Sequence, residues 1–527
     1  MKKWYAVIVL AFAQFVMVLD STVMNVSIMT VVKDLDTTVN AMQSAIAFYT
    51  LTMAALMLIG AKLCARLGLL KAFAIGSIIY GIGSTITAFS QNFAMLFVGW
   101  SVIEGIGAVL VIPAIAALVA TNYQGKDRVT AYAIIGGISG AAAAAGPLIG
   151  GFMTTYLSWR YVFACEVVIM IGVILASKPL KSLAANRSIK IDFWSAVLSS
   201  TGLVILVFAF LQSKTWGWIE PIYTPQINGH SIAPFGVSIV IYLILLAVYL
   251  LKLFYDRQID MEADGREPLV KASMLSIKRL RSGLSVLMSQ YLITAAIFFI
   301  IPIYLQTVLG YDALKTGIKI LPLSIALIIF SGLGSRLIKK YSPKKIVRLG
   351  QLMLVIGSLF MLESVDTQLK SSAFAIAMFI AGGGLGLLAS QLGNVNVSAV
   401  PEKDANEVGG LQGTFQNIGS SLGTALIGSI MIATLTSNMI SSVNTSNVSE
   451  QTKTYINQNL KSAEIIPASQ VVPLAESKGA SAQDAQELSD IYLDSQLSSL
   501  QDSIFFLAAI SFLMIVFSRN IPDKKIN

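Results

Sequence analysis

Windows of roughly twenty apolar residues, each closed by charge or by Gly, Pro or Asn clusters, recur about fourteen times along this chain. Segments of that length and polarity fit one environment, the hydrocarbon of a bilayer. They fall near 6–29, 41–62, 70–90, 93–118, 129–154, 160–178, 191–212, 234–254, 284–308, 316–338, 345–364, 371–396, 407–435 and 502–519. Only 12% of the 527 residues are charged and 55% are hydrophobic, too few charges to coat soluble domains of this size. Because backbone polar groups in lipid must be satisfied internally, such spans are helices. The fold class is therefore an all-α integral membrane protein. The N-terminal MKKWYAV opens an apolar run longer than a secretory signal core, without a small-residue cleavage site, and is read as a retained first helix.

Assigning alternate connections to the two sides collects Lys2, Lys3, Lys62, Arg66, Lys71, Lys126, Arg128, Lys178, Lys181, Arg187 and Lys190 on one of them. Further along, Lys271, Lys278, Arg279, Arg281, the basic stretch 336–348, Lys524 and Lys525 join that side. Basic connections stay in the cytoplasm, so the expectation is a multi-pass protein of the cytoplasmic (inner) membrane with both termini inside. This arrangement accounts for the formal net charge of +9 without nucleic acid, since no soluble module carries a basic face interleaved with aromatics. The connection 251–281 mixes charge with a short amphipathic stretch, as expected of a linker touching membrane lipids. On the opposite side, 436–501 is rich in Ser, Asn, Gln and Thr. Solvation alone explains such a loop; a partly helical hairpin over the outer mouth is the alternative.

Several chemistries are excluded. Cys64 and Cys165 make neither a disulfide framework nor a cysteine-rich metal site. The one histidine, His230, stands beside Gly229 and supports no histidine catalysis or metal cage. The chain has no GxxxxGK[ST] loop, no HExxH and no Ser/Cys–His pairing fit for a nucleophile, so neither ATP nor enzyme chemistry is indicated. No cofactor and no metal are expected, and the energy source is an ion gradient or the solute's own gradient.

What does stand out is acid inside the spans: Asp20 in FVMVLDSTVMNVSI, Glu104 in SVIEGIG and Glu166 in VFACEVVI, with no lysine or arginine deep in the first six spans. Ionisable groups there are costly and mark ion or substrate paths. A carboxylate in dry surroundings can be neutral in one conformation and charged in another, which suits a carrier of protons or cations. The alternative is a structural hydrogen-bonding role, and Glu166 has the further alternative of lying near the outer interface after Trp159 and Arg160. Asn25, Trp100 and Tyr49 are candidates to shape a pocket beside them, because aromatic faces attract organic cations.

Small residues form the other pattern. Ile134 to Phe152 reads IIGGISGAAAAAGPLIGGF, with glycine-rich stretches again at 382–386, 409–413 and 419–428. Such smooth helices approach closely. They make either static packing seams or the sliding contacts of rocking halves.

These residues resemble the major facilitator superfamily, specifically its 14-helix drug:proton antiporters. The first-helix motif, an Asp followed by small or branched residues and Asn-Val-Ala-Leu, is matched from Asp20 to Ile28, with Ser27 and Ile28 as departures. The fifth-helix antiporter motif, Gly-x-x-x-Gly-Pro-x-x-Gly-Gly, is matched from Ala142 to Gly151, with Ala for its first Gly. SWRYVF at 158–163 and YLQTVLGYDALKTGIKILP at 304–322 resemble the family's entry to helix six and its ninth-to-tenth helix junction. Elsewhere the chain departs. In AKLCARLGL, 61–69, Arg66 and Gly68 remain but Ala65 replaces the family's Asp; Lys339 holds the acidic position of the related stretch 335–344; Ser101 and Glu104 replace the helix-four Arg and Gln.

The resemblance implies a major facilitator fold with 14 transmembrane helices. It consists of a six-helix bundle over 1–180, two additional helices over 181–255, a linker over 256–283 and a second bundle over 284–519, which includes the outer loop 436–501, ahead of a tail at 520–527. It further implies a proton-coupled secondary transporter that exports hydrophobic, cationic drugs or amphiphiles by alternating access and functions as a monomer. Asp20, Glu104, Glu166, Asn25, Trp100 and Tyr49 are the expected proton and substrate residues; Arg66, Gly68, Gly146, Pro147, Gly150 and Gly151 are the expected gating residues. With the acids of the gate motif missing, the latch must be made another way. The same body could instead export a lipid, peptide or metabolite, or serve as a receptor.

Overall fold

The computed structural model describes residues 3–227, 230–369, 372–401 and 405–523; Lys2, Lys524 and Lys525 lie outside the described residues. Among those described, fourteen helices are long and apolar enough to cross a membrane. They are α1 (Tyr5–Asp34), α2 (Val39–Leu67), α3 (Leu69–Ala88), α4 (Phe93–Asn122), α5 (Gly125–Tyr156), α6 (Arg160–Ser177), α7 (Phe193–Trp216) and α8 (Ile239–Ala263), then α9 (Lys278–Thr307), α10 (Ala313–Leu337), α11 (Pro343–Ser364), α12 (Ala373–Val397), α13 (Ala405–Thr445) and α14 (Ala482–Phe517). Each overlaps one of the windows read from the sequence.

The boundaries follow local chemistry. Thr38, Asp192, Ser238, Asp312 and Ser481 cap the N-termini of α2, α7, α8, α10 and α14 with side-chain oxygens that accept otherwise orphaned backbone N–H groups. Gly68, at φ +89°, ends α2 and starts α3 in a conformation that excludes most side chains. A two-residue hairpin, Gln226–Ile227 against His230–Ser231, joins α7 to α8.

Helices α1–α6 form one group and α9–α14 another, meeting mainly along α5 with α10 and α2 with α13. The meeting is tight at one end only. A side chain at Gly317 would collide with the Pro147 carbonyl, and one at Gly151 would lie 2.6 Å from the Ala313 carbonyl oxygen. Gln43 donates to the carbonyls of Thr424 (3.1 Å) and Ala425 (3.3 Å), Ser421 to that of Ala47 (2.8 Å), and Gln306 to that of Val26 (2.9 Å). Toward the other end the approach relaxes to ordinary contact: a Cβ on Gly413 would lie 3.4 Å from Met57 and one on Gly410 3.7 Å from Ala61, while Gly136, Gly137 and Gly409 have nothing within 4 Å. The looser end of this seam is the one that carries Arg66, Lys71, Arg187 and Lys190.

Helix α7 packs on α8 and lies against both α2 and α13. At the looser end Arg257 grips Asp192 with two hydrogen bonds of 2.7 and 2.8 Å, and this guanidinium holds the Asp192 carboxyl well below the usual carboxylate range. At the closed end buried Lys214 donates to Gln43 Oε1 at 2.8 Å. The linker is anchored as well: Gln258 Oε1 accepts from the Leu269 N–H at 2.8 Å, and Lys271 pairs with Glu407 at the start of α13 at 3.0 Å.

The polar stretch 436–501 differs from the solvated loop expected of its composition. Its flanks extend α13 and α14, and the middle carries a helix over Glu450–Asn459 and another over Val471–Ser477. The reason is periodic: Leu488, Tyr492, Ser495, Ser499 and Ser503 recur at helical spacing and are buried. The Tyr492 hydroxyl accepts the Ile466 N–H at 2.8 Å, Asp484 accepts from Ser449 and Thr452, and Lys461 lies 4.4 Å above the Tyr223 ring. This segment caps the closed end.

Two outcomes test this arrangement. Gly317→Leu should hold the closed end apart. A cysteine placed at Gln306 in a chain lacking Cys64 and Cys165 should then react several-fold faster with an impermeant maleimide applied on the capped side. Asp192→Asn should lower the melting temperature of the purified protein. Because the carboxyl is depressed in the folded state, that deficit is full above about pH 4 and shrinks as the pH falls further.

Candidate functional site

The site begins with an irregularity in α4. Between an opening turn at Phe93–Leu96 and the regular helix Gly105–Asn122, residues Phe97–Glu104 are wound as π-helix. Wider turns of this kind change which side chains share a face and concentrate at functional sites. Here they leave Gly99, Trp100, Ser101 and Glu104 all buried. Ser101, at the family's arginine position, donates to the Ala45 carbonyl at 2.8 Å and ties α4 to α2.

Asp20 of α1, Glu104 of α4 and Glu166 of α6 converge, with one carboxylate oxygen from each lying within 4.8 Å of the others. All three are at most 1% exposed. Trp100 Nε1 donates to both oxygens of Asp20, at 2.9 and 3.1 Å. The Tyr49 ring stacks on the Trp100 indole, centroids 5.0 Å apart. From α3, Tyr80 and Ser84 each donate to Glu166 Oε2 at 3.1 Å, and Thr87 donates to Glu104 Oε1 at 3.2 Å. Glu104 also lies against Gly83, where a Cβ would be 2.5 Å from its Cγ. No described ion pair involves these acids. Three close carboxylates in a dry interior cannot all be ionised without counter-charge, so the cluster must hold protons or a cation.

Of the six expected proton and substrate residues, Asp20, Glu104, Glu166, Trp100 and Tyr49 come together. Glu166 faces the interior, not the outer interface. Asn25 does not join: its amide donates to the Ser21 carbonyl at 2.9 Å, one turn back on α1. Tyr80, Ser84 and Thr87 were missed by sequence reasoning, although hydroxyls spaced by four and three residues form one polar stripe on an otherwise apolar helix.

The expected gating residues divide similarly. Side chains at Gly146 and Gly150 would strike Thr22 and Val23 of α1, while Gly151 and Pro147 meet α10 across the seam. Arg66 is exposed and has no described ion pair. Gly68 instead lies 3.3 Å, measured from its ideal Cβ, from the backbone of Ala185; the Asn186 N–H bonds the Ala65 carbonyl at 3.0 Å, and Ser182 accepts the Leu70 N–H at 3.2 Å. The α2–α3 turn is therefore fixed to the α6–α7 connection within its own half.

Fourteen spanning helices in two groups, the first enclosing a cluster of buried acid, define a membrane transporter. A family profile described as Major Facilitator Superfamily matches residues 10–225 and 227–424, and the chain belongs to that family. The puromycin resistance protein pur8 of Streptomyces alboniger is 25% identical over 438 residues, covering 81% of this chain and 82% of that protein. The methylenomycin A resistance protein of Bacillus subtilis is 24% identical, covering 80% and 86%. Among solved structures, a bacterial homologue of the human lysosomal transporter Spinster, inward-facing and unoccupied, aligns with a TM-score of 0.62 at 14% identity over 98% of this chain and 97% of that one. The fold and family are those of a multi-pass secondary transporter, not of an enzyme.

Trp100→Phe keeps an aromatic ring against Tyr49 but removes the indole donor that reaches both oxygens of Asp20. It should destabilise the purified protein by about 1–2 kcal/mol if Asp20 is charged in the resting state, read by thermal or denaturant unfolding.

Proposed function

We propose that the protein exports hydrophobic, cationic compounds in exchange for protons, with Asp20, Glu104 and Glu166 as the group that loads and releases them. The observation that carries this reading is the acid cluster without a described basic partner, in a transporter fold whose seam loosens toward one end. The positive-inside rule places the looser end in the cytoplasm, so this conformation takes up cargo there, and both termini are cytoplasmic. Residues 1–180 and 284–519 act as the two rocking halves of a functional monomer, and 181–255 supplies the extra pair. Loss or gain of charge at Asp20 changes its bond to Trp100 and, through the stacked rings, the contact of α4 with α2, which forms one side of the seam. The resistance proteins to which the chain is similar support a small-molecule cargo.

One arrangement favours a second reading. The acids sit among α1, α3, α4 and α6, whereas the seam is built by α2, α5, α10 and α13, so the cargo need not carry the charge that replaces the proton. A neutral amphiphile or lipid fits this geometry as well.

Proteoliposomes under an imposed proton gradient separate these possibilities. Organic cations should trigger proton movement in the wild type and none in Asp20→Asn. Full coupling in that variant would remove Asp20 from the mechanism, and movement triggered only by neutral amphiphiles would select the second reading.

A further inference from the structure

The hydrogen bonds around the acid cluster are one-sided. Each glutamate has one oxygen held by α3 hydroxyls, while the other, Oε2 of Glu104 and Oε1 of Glu166, is buried without a partner. A third orphan accompanies them. The Tyr49 hydroxyl, in a residue 1% exposed, lies close enough to Asp20 to interact with its carboxylate but is poorly aligned for a full hydrogen bond to it. Buried polar atoms are rarely left bare, and three together leave a gap in the same few ångströms of interior. One proton can bridge two of these oxygens; it cannot satisfy all of them.

A metal ion can, because it accepts several lone pairs at once. Every donor available here is oxygen, from carboxylates and hydroxyls, which selects hard cations over soft ones. The carboxylate oxygens lie within 4.8 Å of one another, a spread that an ion with bonds of about 2.3–2.6 Å closes by small side-chain movements. Two cations on neighbouring helices are engaged elsewhere: Lys214 is bound to Gln43, and Arg160 to Asp34 and the Ser90 carbonyl. Spacing along the chain gives no hint of such a site, since the ligands come from four helices separated by tens of residues.

We infer that Asp20, Glu104 and Glu166, with the Tyr49 hydroxyl, form a binding site for one hard metal cation inside the first six-helix group. The cation and protons occupy it alternately. This rests on the reading of the cluster as the coupling centre and adds that the coupling ion can be a metal. The shared chemistry covers an alkali ion such as sodium and a divalent ion such as calcium, and Trp100, bonded to Asp20, is a built-in optical reporter of either.

The test is equilibrium binding of radioactive sodium and of radioactive calcium to the purified full-length protein, at neutral and acid pH. Saturable binding of about one ion per chain is expected, weakened at acid pH and accompanied by a change in tryptophan fluorescence. Glu104→Gln, Glu166→Gln and Tyr49→Phe should weaken it, the two amides at least tenfold, while Glu450→Gln on the exposed cap leaves it unchanged. Because each ligand is needed, any one of the three variants that melts cooperatively is enough for the comparison. Sodium binding alone identifies an alkali coupling ion, and calcium binding alone a divalent one; either supports the inference. No saturable binding of either ion, or binding that survives both amide substitutions, overturns it. Cargo-triggered proton flux in sodium-free vesicles treated with chelator is measured in parallel. Flux there without ion binding defeats the metal site and leaves proton exchange standing, whereas ion binding without any proton flux defeats the proton reading and keeps the metal site.

Discussion

Backbone meeting backbone across glycine is the contact on which the rest of this transporter depends. Where α5 meets α10, side chains have been stripped away until carbonyls and amides of opposite halves almost touch, and where α2 meets α13 the side chains of Gln43 and Ser421 bond carbonyls across the seam. In lipid there is no hydrophobic drive to hold helices together, so close fit and a few cross-seam hydrogen bonds must do it. The same smoothness leaves little to interlock, and the halves can part at one end while they remain joined at the other. The helix pair α7–α8, the cap over 446–481 and the acid cluster are all placed relative to that seam.

Much of this was legible in the chain. The fourteen spans could be read because length and apolarity suffice to define a membrane helix, and the first-helix and fifth-helix motifs carried the family because they lie in continuous stretches. The cap was misjudged because overall polarity masks a helical period: the buried face at Leu488, Tyr492 and Ser499 is narrow, and much of it is serine. At the gate motif, where Ala65 replaces the family's Asp, the α2–α3 turn fastens to the α6–α7 connection at 182–186.

The site was half legible. Three membrane carboxylates are conspicuous one at a time, but nothing in their spacing says that they meet, because convergence depends on how α1, α3, α4 and α6 pack. The π-wound stretch Phe97–Glu104 adds a rotation that no pattern based on regular helical periodicity anticipates. Trp100 was singled out as an aromatic face for cations, yet its indole N–H, pointed at Asp20, is what the structure uses.

The junction of Lys214 with Gln43 has a consequence for the energetics of the transport cycle. Gln43 serves two masters: its amide nitrogen holds two carbonyls of α13, and its oxygen is the acceptor for a buried ammonium on α7. When the capped end opens, the amide loses the first set and its orientation is no longer fixed for the second. An ammonium in a dry setting tolerates the loss of its acceptor poorly. The added helices are thus tied to the seam through one side chain, and any movement that frees Gln43 from α13 also disturbs the acceptor of a buried ammonium.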